Sequence, residues 1–163
     1  MTIAIAVYDP EWPRRFAREA ARLGAALGAT VVRLEHFGST SVPGLAAKDI
    51  IDIQLSVAAF APEAAYRAPL ERLGYEYRPD DEPEHRLFRL ESPAGQRLVH
   101  LHLCEAGSDW ERRHLRFRDR LRADPTLAAA YERLKRTLAP QFNDGNAYAD
   151  AKGPFIREVL ARE

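Results

Sequence analysis

Gly38 is followed by three hydroxyl residues, Ser39, Thr40 and Ser41, then by Lys48 and Asp52, a set of residue types suited to holding a phosphate. Glycine lets backbone N–H groups approach an anion closely, the hydroxyls add donors, and a lysine supplies compensating charge. The segment is not a Walker motif, because the Gly-Lys-Ser/Thr ending is missing. Gly-Ser alone is equally at home in an ordinary loop between strands. Asp52 brings an oxygen ligand that can bridge magnesium to phosphate; the plainer reading is a solvated carboxylate or an arginine partner. His100 and His102 form a second candidate. Alternation along a strand puts both imidazoles on one face, a pattern suited to two ligands of a transition metal. If the strands bearing Asp52 and these histidines are neighbours, the three side chains make a two-histidine, one-carboxylate set that His36 or His85 could join. The plainer reading is two histidines hydrogen-bonded on a half-buried strand.

These residues need elements to position them. Asp9-Pro10 is expected to start a helix in which Phe16, Ala20, Leu23 and Leu27 recur at helical spacing, with Gly28 as its stop. Val31 to Phe37 reads as a strand, and Gly38 to Lys48 is too rich in Gly, Ser and Pro for regular structure. From Ile50 to Val57 the alternation is clean. Ile51, Ile53, Leu55 and Val57 face one way, and Asp52, Gln54 and Ser56 the other. Helix is expected from Glu63 to Leu73 and a solvated acidic loop from Pro79 to Glu84. Strands His85–Leu90 and Arg97–Cys104 flank the turn Ser92-Pro93-Ala94-Gly95. Ser108 to Glu111 has capping-box spacing, Asp124-Pro125 signals another helix, and a last helix follows Tyr148. Lys152 belongs to this last helix and could reach an anion from above. The arginines from Arg112 to Arg122 read as a salt-bridged helix face. Cys104 reads as a buried structural thiol. The expected architecture is one α/β domain over residues 1–163, a sheet with flanking helices and a helical C-terminal cover.

Composition narrows the partners. The chain has 163 residues, 46% of them apolar, and 24 basic against 24 acidic residues. A balanced charge gives no broad attraction to nucleic acid, so a small, locally neutralised anion is the expected ligand. With a single cysteine there is no intrachain disulfide and no multi-cysteine zinc site. The N-terminal apolar run has no basic flank, and no run spans a bilayer, so a cytoplasmic location without membrane association is expected.

The stretch Glu35-His36-Phe37-Gly38-Ser39-Thr40-Ser41-Val42-Pro43-Gly44-Leu45-Ala46-Ala47-Lys48, followed by Asp49-Ile50-Ile51-Asp52-Ile53, resembles the signature of the GrpB family. The resemblance runs across nearly the whole chain. It takes in Tyr8-Asp9-Pro10-Glu11-Trp12-Pro13, His100-Leu101-His102-Leu103, Gly107-Ser108 with Trp110, Phe117-Arg118-Asp119, Leu134-Lys135, Tyr148, Lys152 and Phe155-Ile156. It implies a nucleotidyltransferase-like mixed sheet, in a domain also found fused to dephospho-coenzyme A kinases. In that superfamily the Gly-Ser turn holds a nucleotide's phosphates, and acids one position apart on the next strand bind magnesium. Gly38 and Ser39 match the turn and Asp52 the first acid. The second acid falls at Gln54, and the strand expected to carry a third presents His100 and His102. Asp52 alone cannot balance two magnesium ions beside a triphosphate.

Three functions follow. The first is a domain binding a nucleotide or other phosphorylated small molecule with a divalent metal, nucleotidyl transfer being the reaction implied. Its catalytic candidates are Asp52 and Gln54, and its phosphate ligands Gly38, Ser39, Thr40, Ser41, Lys48 and Lys152. The second is a transition-metal site on Asp52, His100 and His102. The third is a non-catalytic accessory domain linked to coenzyme A metabolism.

Overall fold

The computed structural model describes residues 2–162. Helix α1 (Glu11–Leu27) opens the regular structure, and β1 (Arg33–Phe37) leads through a short 3-10 turn at Ser39–Ser41 to β2 (Ile51–Val57). There follow α2 (Ala64–Arg72), β3 (Glu76–Arg78), β4 (His85–Glu91) and β5 (Arg97–Glu105), then α3 (Asp109–Ala123), α4 (Pro125–Leu138), α5 (Gly145–Ala151) and α6 (Gly153–Ala161). The five strands form one mixed sheet in the order β1-β2-β5-β4-β3. Only β2 and β5 run parallel; the other neighbours are antiparallel.

Period-two alternation builds this sheet from both sides. Ile51, Ile53, Leu55 and Val57 of β2, with Val99, Leu101 and Leu103 of β5, are buried with Trp12, Leu23 and Leu27 of α1 and Tyr66 and Leu70 of α2. Burying each such aliphatic side chain contributes about 1.5–3 kcal/mol. The opposite face is covered too. Phe37, Cys104 and Trp110 form a second cluster under α3, and Gln54 and Ser56 are fully buried there. A third cluster joins Val42 and Leu45 of the loop after β1 to Leu121 and Tyr131, with Phe117, Leu127 and Phe155 against it. The C-terminal helices thus sit on the Gly38–Lys48 loop as the expected cover.

Local signals set most boundaries. Ser108 Oγ accepts the Glu111 N–H at 3.3 Å, and Asp124 accepts the N–H groups of Thr126 and Leu127 at 3.0 and 3.1 Å. The capping box at Ser108 closes on one side only. The Glu111 carboxylate turns inward to the Gly107 N–H at 3.2 Å, to Arg33 at 3.1 Å and to the Ser56 hydroxyl. Other boundaries move. Asp9 accepts the Glu11 N–H at 2.8 Å, but Pro10 flanks α1 rather than lying in its first turn. Val31 and Val32 precede β1: the Val31 N–H turns back to the Gly28 carbonyl at 3.2 Å, and Val32, its N–H on the Ser56 carbonyl at 2.8 Å, is exposed. Strand β3 has no counterpart in the expected elements, being too short to show alternation. Tyr148 lies inside α5, and Lys152 stands at the junction of α5 and α6 rather than within a helix.

Candidate functional site

The parallel register of β2 and β5 places Asp52 opposite His100 and Gln54 opposite His102. Asp52 Oδ1 lies 3.8 Å from His100 Nδ1 and 3.5 Å from His102 Nε2. Both separations are long for a hydrogen bond. They are close to the edge of about 3.4 Å between ligand atoms of a tetrahedral ion with bonds near 2.1 Å. One ligand atom from each of the three residues falls within 4.8 Å of the others. The remaining ring nitrogens, His100 Nε2 and His102 Nδ1, are buried without a partner. Burial lowers the His100 pKa to about 4 against the pull of Asp52, so its ring is neutral at pH 7, with a lone pair to give to a metal. Burial opposes ionisation of Asp52, but the polar contact with His102 and the charges of His100, His102 and Lys48 outweigh it and hold the carboxyl below the usual range.

The Gly38 turn closes directly on this carboxylate. Gly38 has φ +70°, and a Cβ built there would lie 2.5 Å from Asp52 Oδ2 and 3.0 Å from Asp52 Cβ and Cγ. Glycine is therefore required twice, by backbone conformation and by contact. Gly38→Ala is expected to displace the Asp52 carboxylate and to cost roughly 2–4 kcal/mol of stability, from left-handed strain plus overpacking. Chemical denaturation together with metal titration checks this. An alanine variant as stable and as competent as the native chain would show that the turn does not abut Asp52.

The hydroxyls of the turn divide. Thr40 Oγ1 lies 2.9 Å from His36 Nε2, and Ser41 Oγ donates to the Gly38 carbonyl at 2.5 Å, so both are engaged internally. Arg122 donates to the Ser41 carbonyl at 2.9 Å and Arg118 to the His36 carbonyl at 2.9 Å, bracing the turn from α3. Part of the arginine face therefore buttresses the loop instead of only forming surface ion pairs. His36 opposes Ile53 and stacks on Phe16 of α1, so it lies on the far side of the sheet from Asp52. His85 does share the face, stacking on His102 and Trp110, but its Nε2 lies 3.4 Å from Asp80 and its Nδ1 3.2 Å from Glu82, close enough for their charges to act though neither nitrogen forms a hydrogen bond.

A second magnesium would need further carboxylates, and the nearby ones are engaged. Glu35 pairs with Arg118 at 2.7 Å, and Asp49 accepts from Trp12 Nε1 at 2.8 Å and from Arg15. Gln54 is fully buried with both amide atoms unpartnered. Cys104 is fully buried beside Ser56, and burial pushes its thiol up to about 11, as expected for an unreactive structural cysteine.

Beyond the carboxylate lies a basic cluster. Lys48 and Lys152 approach the Tyr148 ring at 5.4 and 4.4 Å, and its hydroxyl is buried without a partner. Lys135 joins them from α4, buried, donating to the Ala46 carbonyl. Burial first, then Lys48, lowers Lys152 to about 8, with Asp52 opposing; burial, then Lys152, lowers Lys135 to about 7. Among the described residues the ion pairs are made by arginine and histidine, none by these lysines. Lys135 is the residue that sequence reasoning missed. Its signal is positional: it falls on the buried stripe Ala128-Tyr131-Lys135, where an apolar residue belongs.

The fold, a mixed sheet with a Gly-Ser turn abutting an aspartate on the next strand, is nucleotidyltransferase-like. The structure of a cytoplasmic RNA terminal U-transferase matches with TM-score 0.53 over 80% of this chain and 40% of that one, at 16% identity, a likeness of fold alone. The chain belongs to the GrpB family, whose model, described as GrpB protein, matches residues 2–162. A UPF0157 protein of Streptomyces coelicolor is 45% identical over 99% of this chain and 84% of its own length. The crystal structure of conserved protein GrpB from Enterococcus faecalis superposes with TM-score 0.84 at 35% identity, over 96% of this chain and 94% of that one. A dephospho-CoA kinase of Mycolicibacterium paratuberculosis is 32% identical over 94% of this chain, the match taking up 44% of that protein.

Proposed function

We propose that the chain binds a phosphorylated small molecule, nucleotides included, with one divalent transition metal held by Asp52, His100 and His102. The observation that carries this reading is that Asp52 of the three-residue set abuts the Gly38 turn and acts on the charges of Lys48 and Lys152, which have no ion-pair partners among the described residues. Two imidazole nitrogens and one carboxylate oxygen suit zinc, manganese or iron better than magnesium. A bound ion would polarise a phosphoryl oxygen. Lys48 and Lys152 would take the phosphate charge, Ser39 and the turn would orient it, and Lys135 would hold the loop through Ala46 while adding positive potential. Thr40 and Ser41 shape the turn instead of touching the ligand.

Melting curves with ATP and manganese test this reading. Ligand at a hundred times its dissociation constant contributes about 2.7 kcal/mol, a rise of roughly 5–10 °C for a domain of this size. Asp52→Ala and Lys152→Gln should each abolish most of that rise. No rise with any nucleotide, with or without metal, removes the proposal.

Binding without turnover is a second reading, favoured by Gln54 in place of the second acid. An amide brings no charge to a second metal, and the kinase relative places this kind of domain beside a separate catalytic one. Ligand binding with no transfer to any acceptor supports this reading; transfer that depends on Asp52 excludes it.

A further inference from the structure

The face that bears Asp52 and the histidines continues across β4 as arginine. Arg89 stands opposite His100 in the antiparallel β4–β5 ladder. At the hairpin end the pairing steps from Leu90–Val99 to Glu91–Arg97, which makes Leu98 an extra residue on β5. This bulge turns Arg97 onto the face of Glu91 and Arg89; regular alternation would have aimed it with Val99 and Leu101 into the core. The Arg97 guanidinium reaches across to α5, 3.8 Å from where a Cβ on Gly145 would lie. Arg89 is half buried, and its Nε is shut off from solvent with no hydrogen-bond partner. Arg78 on β3 pairs with Glu76 at 2.9 Å, but among the described residues neither Arg89 nor Arg97 makes an ion pair. Burial, then the like charges of Arg97 and Arg78, lowers the Arg89 pKa. A guanidinium withdrawn from water and set against its own kind costs stability unless an anion satisfies it.

We propose that Arg89 and Arg97 form a second anion subsite beside His100, which takes the far phosphate of a ligand whose first phosphate lies at Lys48 and Lys152. This rests on the proposed function above. Asp52 and Arg89 stand two strand spacings apart, about 10 Å, and the charges of Arg89 and Arg97 reach Lys48, so the ligand class is a small molecule carrying two phosphates.

Calorimetry on the full chain with manganese tests it, comparing fructose 6-phosphate with fructose 1,6-bisphosphate. The bisphosphate is expected to bind about tenfold more tightly, the worth of one charge-assisted contact. Arg89→Gln and Arg97→Gln should each erase most of that gain and leave the monophosphate within about twofold. Arg112→Gln, a surface residue paired with Asp109, should change neither. Arg89→Gln should also melt no lower than the native protein, since it removes an unsatisfied buried charge. Monophosphate binding that depends on Lys152, with no gain for the bisphosphate, overturns the subsite and leaves the first reading standing. Equal weakening of both ligands by Arg89→Gln, or a lower melting temperature, also overturns it. If neither sugar phosphate nor ATP binds, both readings fall.

Discussion

The ligand-free protein is expected to become more stable as the pH rises from about 7 to about 10, against the usual trend of a maximum between about pH 5 and 8. Lys135 and Lys152 are depressed to about 7 and about 8 from an ordinary 10.5, chiefly by burial. Over that interval the unfolded chain binds protons that the folded chain does not, so stability grows with pH. It turns down above about pH 10. Tyr148 is raised to about 12 by burial, and Tyr75 and Tyr131 are raised as well, so there the folded chain keeps protons that the unfolded one loses. The two lysines together contribute on the order of 5 kcal/mol across the window, roughly 10 °C in melting temperature. The acid side has the same sign. His36, His100 and His114 are each lowered to about 4 by burial, so their contribution is full above 6.5 and is lost as the pH falls toward 4. Melting temperatures from pH 5 to 11 check the curve. Lys135→Met should flatten the alkaline limb and raise stability at neutral pH. A flat native profile between pH 7 and 10 would show that the lysines are solvated. Phosphate ligands should invert the effect, stabilising most near neutrality, where a bound anion restores the lysine protons.

Zinc or manganese is expected to bind with 1:1 stoichiometry, and Asp52→Ala or His102→Ala to weaken it by at least about 100-fold. Losing one of three ligands removes a bond and leaves the other two set for an ion they cannot hold alone. His85→Ala should retain the metal, because His85 is turned to Asp80 and Glu82 despite stacking on His102. Titration calorimetry and elemental analysis of protein purified without added metal read these outcomes. Native protein that is metal-free and indifferent to added zinc and manganese would refute the site. Metal binding insensitive to Asp52→Ala would relocate it.

Much of this arrangement is legible in the chain because it depends on local rules. Alternation from Ile51 to Val57 and from Val99 to Cys104 fixes which side chains share a face, as the register of the two strands and their shared aliphatic cluster bear out. Asp124 and Ser108 start helices because an oxygen one turn ahead of unpaired N–H groups acts without reference to the rest of the fold. Motif similarity identifies the family and, through it, the likeness to nucleotidyltransferases.

Tertiary structure decided the rest. That β2 and β5 are neighbours, and parallel, is a fact of sheet order; it alone brings Asp52 against His100 and His102. Alternation leaves Asp52 on an unidentified polar face, yet three-dimensional packing roofs that face with Trp110 and Phe37. Lys135 looks like any helix lysine until α4 is laid on the Gly38–Lys48 loop and its ammonium is withdrawn from water. Arg97 looks core-directed until the bulge at Leu98 reverses it. The sequence by itself determined which residues are chemically equipped and which elements carry them, because periodicity and capping are local. Only the fold decided which of them meet and which lose solvent, because strand order, register and burial come from contacts between segments far apart in the chain.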